Sequence, residues 1–224
     1  MDKGRERRVQ SQDILILIKL ISLRRKQLSI PFNVSYSPYH IPNGLEGWEP
    51  KKNFETEEEA NRSILEKFTV RGLADVSGVS KSAVNISINR SVDSGLAIYD
   101  RKSGLPRANE KALYEFIVYG LKYVFPVKAA EITRGIPTSF GAPALSKEIK
   151  SAGDYIYVWP DARGKEKGQS LEPLYKSVPF AVKHDLFLYE VMALIDAVRI
   201  GSPREANLAK EILSERLLNY ETDI

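Results

Sequence analysis

The chain has 224 residues, of which 43% are hydrophobic and 28% are charged, and this ordinary globular composition argues against disorder over most of its length. The formal net charge of +4 permits an anionic partner without requiring one. The absence of cysteine excludes disulfides, thiolate nucleophiles and cysteine-ligated zinc, and the presence of only two histidines argues against a histidine-rich metal site. These counts leave Mg²⁺ bound by carboxylates open, but we expect neither a metal nor another cofactor.

The amino-terminal segment is charged and lacks the apolar stretch of a signal peptide. The longest apolar run near it, residues 14–18, has five residues, whereas a helix needs about 20 to cross a bilayer. We expect a cytoplasmic protein without membrane contacts.

A first helix is predicted over residues 13–27, with Asp13 as its N-cap. Its apolar residues cover more than one side of the helix. One side can pack within its own domain, and the other needs a second domain or a second subunit to cover it. The next segment, residues 28–56, is rich in proline and aromatic residues and has no sustained period, which indicates an irregular insertion. A second helix is predicted to start near Thr56, with three glutamates in its first turn.

The segment from Thr69 to Gly95 has the pattern of two helices joined by a tight turn. Gly78 can adopt the left-handed conformation that ends the first helix, and Ser80 can cap the second. Apolar residues of the second helix recur at i, i+4 and i+8, namely Val84, Ile88 and Val92. The pattern Ala-x₃-Gly-x-Ser with these spaced aliphatics resembles the helix-turn-helix of winged-helix regulators. The resemblance spans residues 58–107, about a fifth of the chain, and implies binding to double-stranded DNA.

The polar face of the second helix holds the residues expected to contact base edges. At about 100° per residue from Val84, Asn85 and Asn89 lie near 100° and 140°, and Arg90 lies near 240°. Asparagine can pair with adenine through two hydrogen bonds, and an aliphatic side chain can contact the thymine methyl group. The expected base-reading residues are Lys81, Ser82, Asn85, Ile86 and Asn89.

A strand near residues 96–99, a Lys-Ser-Gly turn and a return segment match the wing of the resembled family. Residues 62–107 hold eight basic and four acidic side chains, so this region carries the same positive excess as the whole chain. The resemblance places phosphate contacts at the wing and around the two helices. The expected phosphate-binding residues are Arg71, Ser80, Arg90, Arg101, Lys102 and Arg107.

The carboxy-terminal half gives weaker signals. Asn109 is predicted to cap a helix ending near Val124, and residues 127–180 contain one predicted strand, Tyr155–Trp159. Asp185 is predicted to start a helix that ends at Ile200, and Ser202-Pro203 a terminal helix. No catalytic constellation is recognised, so we do not expect an enzyme. The fold class expected is α+β, mainly α, with a winged-helix domain over residues 1–108 and a helix-rich domain with a smaller sheet over residues 109–224.

The leading hypothesis is a sequence-specific DNA-binding transcriptional regulator that forms a homodimer. Its carboxy-terminal half would sense a small-molecule effector or bind a protein. Two alternatives remain open. The chain could be an antitoxin that represses its own operon and neutralises a toxin through its carboxy-terminal half, or a scaffold that uses the winged helix for protein contacts.

Overall fold

The computed structural model of the chain describes residues 8–29, 56–145 and 155–218. Helices account for 62% of these residues and strands for 15%, which confirms the predicted α+β, mainly α class. Residues 30–55 of the predicted insertion lie outside the described residues.

The elements follow one another in chain order. The α-helices are α1 (Ser11–Ser29), α2 (Glu57–Lys67), α3 (Val70–Ser77), α4 (Lys81–Asp93), α5 (Glu110–Glu115), α6 (Leu121–Val124), α7 (Val178–Ala181), α8 (Leu186–Ile200) and α9 (Pro203–Leu218). The strands are β1 (Ala97–Tyr99), β2 (Pro106–Ala108), β3 (Ala129–Thr138), β4 (Tyr157–Pro160) and β5 (Glu166–Leu171). A π-helical turn, Phe116–Gly120, joins α5 to α6, so the helix predicted after Asn109 is continuous but locally widened.

Helix α1 forms the centre of the core. Its residues 14–18 are almost completely buried, with α4 packed on one side and α8 on another. The second apolar face of α1 is thus covered by the carboxy-terminal half of the same chain. The terminal helix α9 also has an apolar face, and its residues Leu213 and Leu217 are buried within the chain. Because both apolar faces are covered within the chain, neither requires a second subunit to bury it.

The predicted N-cap of α1 is wrong by three residues. The helix begins at Ser11, and the carboxylate of Asp13 instead accepts a hydrogen bond from the backbone N–H of Gln10 at 2.7 Å. This is the reciprocal bond of a capping box, in which an acidic side chain of the first turn satisfies an N–H before the helix. The Asp13 carboxylate also accepts hydrogen bonds from side chains of α4.

The predicted helix starts in the carboxy-terminal half are confirmed. Asp185 caps α8 by accepting a hydrogen bond from the backbone N–H of Leu188 at 3.1 Å, and α8 ends at Ile200. Pro203 is the first residue of α9, with Ser202 before it. Asn109 likewise caps α5 through the N–H of Ala112.

The sheet of the carboxy-terminal half is larger than predicted. The strand predicted at Tyr155–Trp159 is present as β4, but β3 and β5 were not predicted. β3 pairs antiparallel with both β4 and β5, and β4 pairs parallel with β5, which closes the three strands on one another. A Cβ at Gly135 of β3 would lie 2.0 Å from the carbonyl oxygen of Trp159, so this close approach requires glycine.

Candidate nucleic-acid interface

Helices α3 and α4 are joined by a three-residue turn whose geometry follows from its sequence. Thr69 caps α3, Gly78 adopts the left-handed conformation with φ +68°, and the hydroxyl of Ser80 accepts a hydrogen bond from the N–H of Ala83 to cap α4. Val79 is buried in the turn. The turn thereby fixes the direction in which α4 leaves α3.

The outward face of α4 exposes the side chains that were predicted to contact bases. Val84 and Ile88 are buried against the core, whereas the opposite face of the helix is solvent-accessible. The exposed residues of that face are Lys81, Ser82, Asn85, Ile86 and Asn89. Ile86 is 51% exposed, although it is a large apolar residue. Within the described residues, the side chains of Asn85 and Asn89 form no hydrogen bond or ion pair, and packing does not account for them.

Arg90 was predicted to contact phosphate, and this prediction is wrong. The side chain is only 7% exposed and is paired with Asp13 of α1. Nε and Nη2 of Arg90 donate to the two carboxylate oxygens of Asp13 at 2.7 and 2.6 Å. The hydroxyl of Ser87 donates to the same carboxylate at 2.7 Å. The buried flank of α4 is wider than its aliphatic stripe because it also includes Ser87, Arg90 and Ser91.

The hairpin formed by β1 and β2 follows α4 and packs against it. Ile98 pairs with Arg107 and Tyr99 with Pro106 in an antiparallel register. The turn between the strands is organised by Asp100, whose carboxylate accepts hydrogen bonds from the backbone N–H groups of Lys102 and Ser103 and from the Ser103 hydroxyl. These hydrogen bonds, that from the Ser103 backbone first, hold the pKa of Asp100 below its ordinary value.

The same turn exposes Arg101 and Lys102 to solvent. Because only the backbone of these two residues takes part in the turn, their side chains are available to an anionic partner. Arg107, at the other end of the hairpin, is half-buried and lines a cleft between the hairpin and α1. Arg71 is exposed on α3, and Ser80 is exposed while its hydroxyl caps α4.

A contact between the α3–α4 turn and the carboxy-terminal half was not predicted from the sequence. The hydroxyl of Ser177 donates a hydrogen bond to the carbonyl oxygen of Ser77 at 2.7 Å. A Cβ at Gly78 would lie 2.9 Å from the ring of Phe180 and 3.0 Å from Ser177. Gly78 is therefore required both by its φ angle and by α7. No local pattern signals this contact, because the partners are a hundred residues apart.

The described residues were also searched for membrane-spanning helices and for metal sites. None of the helices in residues 8–29, 56–145 and 155–218 is long and apolar enough to cross a bilayer. In the same ranges, no group of three or more histidine or carboxylate side chains is arranged to hold a metal ion. Comparison of the chain with family models, with curated proteins and with solved structures gave no match.

Proposed function

We propose that this chain binds double-stranded DNA in a sequence-dependent manner and acts as a transcriptional regulator. In this proposal α3 and α4 form a helix-turn-helix, the β1–β2 hairpin is its wing, and α4 lies in the major groove. The observation that carries the proposal is the exposed polar face of α4, where Asn85 and Asn89 lie one turn apart beside Ile86.

The chemistry of that face suits base edges. An asparagine amide can donate to and accept from adenine at the same time, which distinguishes adenine from the other bases in the major groove. Lys81 and Ser82 lie at the amino-terminal end of α4, the end that contacts base edges in helix-turn-helix proteins. The exposed Arg101 and Lys102 would add phosphate contacts from the wing, which position the protein without reading sequence.

The test replaces the two asparagines together. Sequences bound by the wild-type protein are selected from a random duplex library, and their affinity is measured against scrambled duplexes. Asn85→Ala/Asn89→Ala should reduce this discrimination by about 1–3 kcal/mol for each lost base contact. Thermal unfolding should remain unchanged because both side chains are exposed. Asn207→Ala, an exposed asparagine of α9, is the matched control.

Two outcomes would contradict the proposal. The first is that the wild-type protein selects no sequence, and the second is that the double variant discriminates between sequences as well as the wild type does. The second outcome would favour protein contacts instead, for which the half-exposed Ile98 and Tyr99 on the hairpin are the relevant observation. Ile98→Ser would then reduce partner binding and leave DNA affinity unchanged.

A further inference from the structure

The carboxy-terminal half presents basic side chains next to the α3–α4 turn. Ser177 and Phe180 contact Ser77 and Gly78 directly. Phe180 is nevertheless 47% exposed, and Lys176, the residue before Ser177, is also exposed. This part of the chain therefore adjoins the turn that precedes α4.

Polar contacts continue this surface onto the closed sheet. Lys183, which follows α7, forms an ion pair with Asp161 in the turn between β4 and β5. The backbone N–H of Asp161 donates to the carbonyl oxygen of Arg134 on β3 at 3.3 Å. The α3–α4 turn, the Asp161 turn and Arg134 are thus linked by successive direct contacts.

The strand register places two like charges opposite each other at the end of this path. Arg134 on β3 is the cross-strand partner of Lys167 on β5, and both side chains are exposed. Directly opposed residues of an antiparallel pair project from the same face, and like charges in this position destabilise the sheet. The neighbouring Glu166 projects from the other face, because successive residues of a strand alternate. The carboxylate of Asp161 is already paired with Lys183.

The exposed side chains around the closed sheet carry a positive excess when both of its faces are counted. In residues 129–145 and 155–176 the exposed carboxylates are Glu131, Glu166 and Glu172. The exposed cations of the same ranges are Arg134, Arg163, Lys165, Lys167 and Lys176. Neither Arg134 nor Lys167 forms an ion pair with a described carboxylate, and a bound polyanion would offset the repulsion between them.

We propose that this surface, residues 134, 163, 167 and 176, binds the phosphate backbone of duplex DNA beside the segment read by α4. The inference rests on the proposed function. Because the surface continues from the α3–α4 turn onto the closed sheet, it would lie against phosphates of the base pairs that flank the segment read by α4. The carboxy-terminal half thereby lengthens the binding site without adding sequence preference.

The experiment compares two duplexes and two charge-neutralising variants. The short duplex contains only the selected sequence, and the long duplex extends it by about ten base pairs of arbitrary sequence on each side. Affinities of the wild type, of Arg134→Ala/Lys167→Ala and of a control are measured over a range of salt concentrations. The control, Lys122→Ala/Arg204→Ala, removes the same charge from exposed positions of α6 and α9, outside the proposed surface.

The salt dependence distinguishes local phosphate contacts from a general effect of charge. On the long duplex, Arg134→Ala/Lys167→Ala should lower the slope of log affinity against log salt by about 2, near 0.9 for each lost contact. On the short duplex this variant should match the wild type, and the control should match the wild type on both. Sequence discrimination should be unchanged in every variant.

The failure of this inference can be told apart from that of the proposed function. If the wild type binds no duplex, both are overturned. If it selects a sequence but Arg134→Ala/Lys167→Ala keeps the wild-type slope on the long duplex, or loses no more than the control, only the flanking surface is overturned. Thermal unfolding should show the variant at least as stable as the wild type, because the like-charge pair is removed. If the alanine variant does not fold, Arg134→Gln/Lys167→Gln removes the same charges with longer side chains.

Discussion

Asp13 joins the first helix to α4 through a single carboxylate. One oxygen accepts hydrogen bonds from Nη2 of Arg90 and the hydroxyl of Ser87, and the other accepts from Nε of Arg90 and the N–H of Gln10. Asp13 and Arg90 are both buried. A two-bond arginine–carboxylate pair of this kind adds geometric specificity as well as energy. It therefore fixes how α4 is rotated about its axis, and so which of its residues point outward.

Arg90→Ala should lower the free energy of unfolding by about 3–5 kcal/mol, because it leaves the buried charge of Asp13 without its partner. The measurement is urea unfolding at neutral pH. Arg101→Ala removes the same charge from an exposed position and should change stability by less than about 0.5 kcal/mol. Replacing Asp13 and Arg90 together with leucine should cost less than Arg90→Ala alone, since no unpaired charge then remains buried. If Arg90→Ala were as stable as the wild type but bound DNA more weakly, Arg90 would contact DNA and its pair with Asp13 would contribute little to stability.

In the hairpin, the side chains that are exposed to a partner are not the ones that stabilise the turn. Asp100 holds the turn through backbone groups and the Ser103 hydroxyl, while Arg101 and Lys102 project their side chains into solvent. Removing those two side chains leaves each hydrogen bond of the turn in place. The hairpin thus permits a test of phosphate contacts that does not disturb the fold.

Arg101→Ala/Lys102→Ala should weaken binding to all duplexes about equally and lower the salt slope by about 2, at roughly 0.9 for each phosphate contact. The measurement is the affinity for a selected and a scrambled duplex over a range of salt concentrations. Lys122→Ala/Arg204→Ala is again the control of equal charge. An unchanged slope, combined with loss of affinity for only the selected sequence, would mean that the wing is misassigned.

Local patterns in the sequence were sufficient to predict the features that depend on only a few neighbouring residues. Caps at Ser80, Asn109 and Asp185 and the left-handed Gly78 follow from a few neighbouring residues, and the structure has them as predicted. The exposed face of α4 followed from helical periodicity in the same way. The predicted exposure of Arg90 failed because its partner is 77 residues away.

The strands β3 and β5 could not be predicted for a similar reason. β3 contains Gly135 and Pro137, which normally argue against a strand interior. The glycine is needed because the carbonyl of Trp159 comes within the space of a Cβ. That requirement arises from closure of the sheet, which depends on the pairing of three separated segments.

At the scale of the whole molecule, α1 is the helix that both halves of the chain share. Its amino-terminal end is bonded to α4 through Asp13, and its later turns are bonded to α8 through Asp185. Nζ of Lys19 and the hydroxyl of Ser22 donate to Asp185, and Lys26 lies 3.6 Å from the same carboxylate. The buried side chains of both halves form one contiguous core around this helix. The stability of α4 and the hairpin that packs on it should therefore depend on a charge located in the other half.

Complete burial of Asp185 by itself would raise the pKa of the carboxyl group, but the charges of Lys19 and Lys26 and the hydrogen bonds from Lys19 and Ser22 outweigh it and hold the pKa well below its ordinary value. A carboxyl group with a lowered folded-state pKa stabilises the protein above its unfolded pKa of about 4, and this contribution is lost as the pH falls below that value.

Asp185→Asn keeps the N-cap acceptor but not the charge. Relative to the wild type, it should be about 3–5 kcal/mol less stable at pH 7, because Lys19 is left buried without its counter-charge. Urea unfolding between pH 7 and pH 2 should show this difference constant down to about pH 4 and shrinking below it, by at most about 1.4 kcal/mol per pH unit. Asp196, whose pKa burial raises, contributes with the opposite sign, but it is present in both proteins and cancels from the difference. A difference that stays constant through the acid range would mean that Asp185 is not the group that couples the two halves to pH.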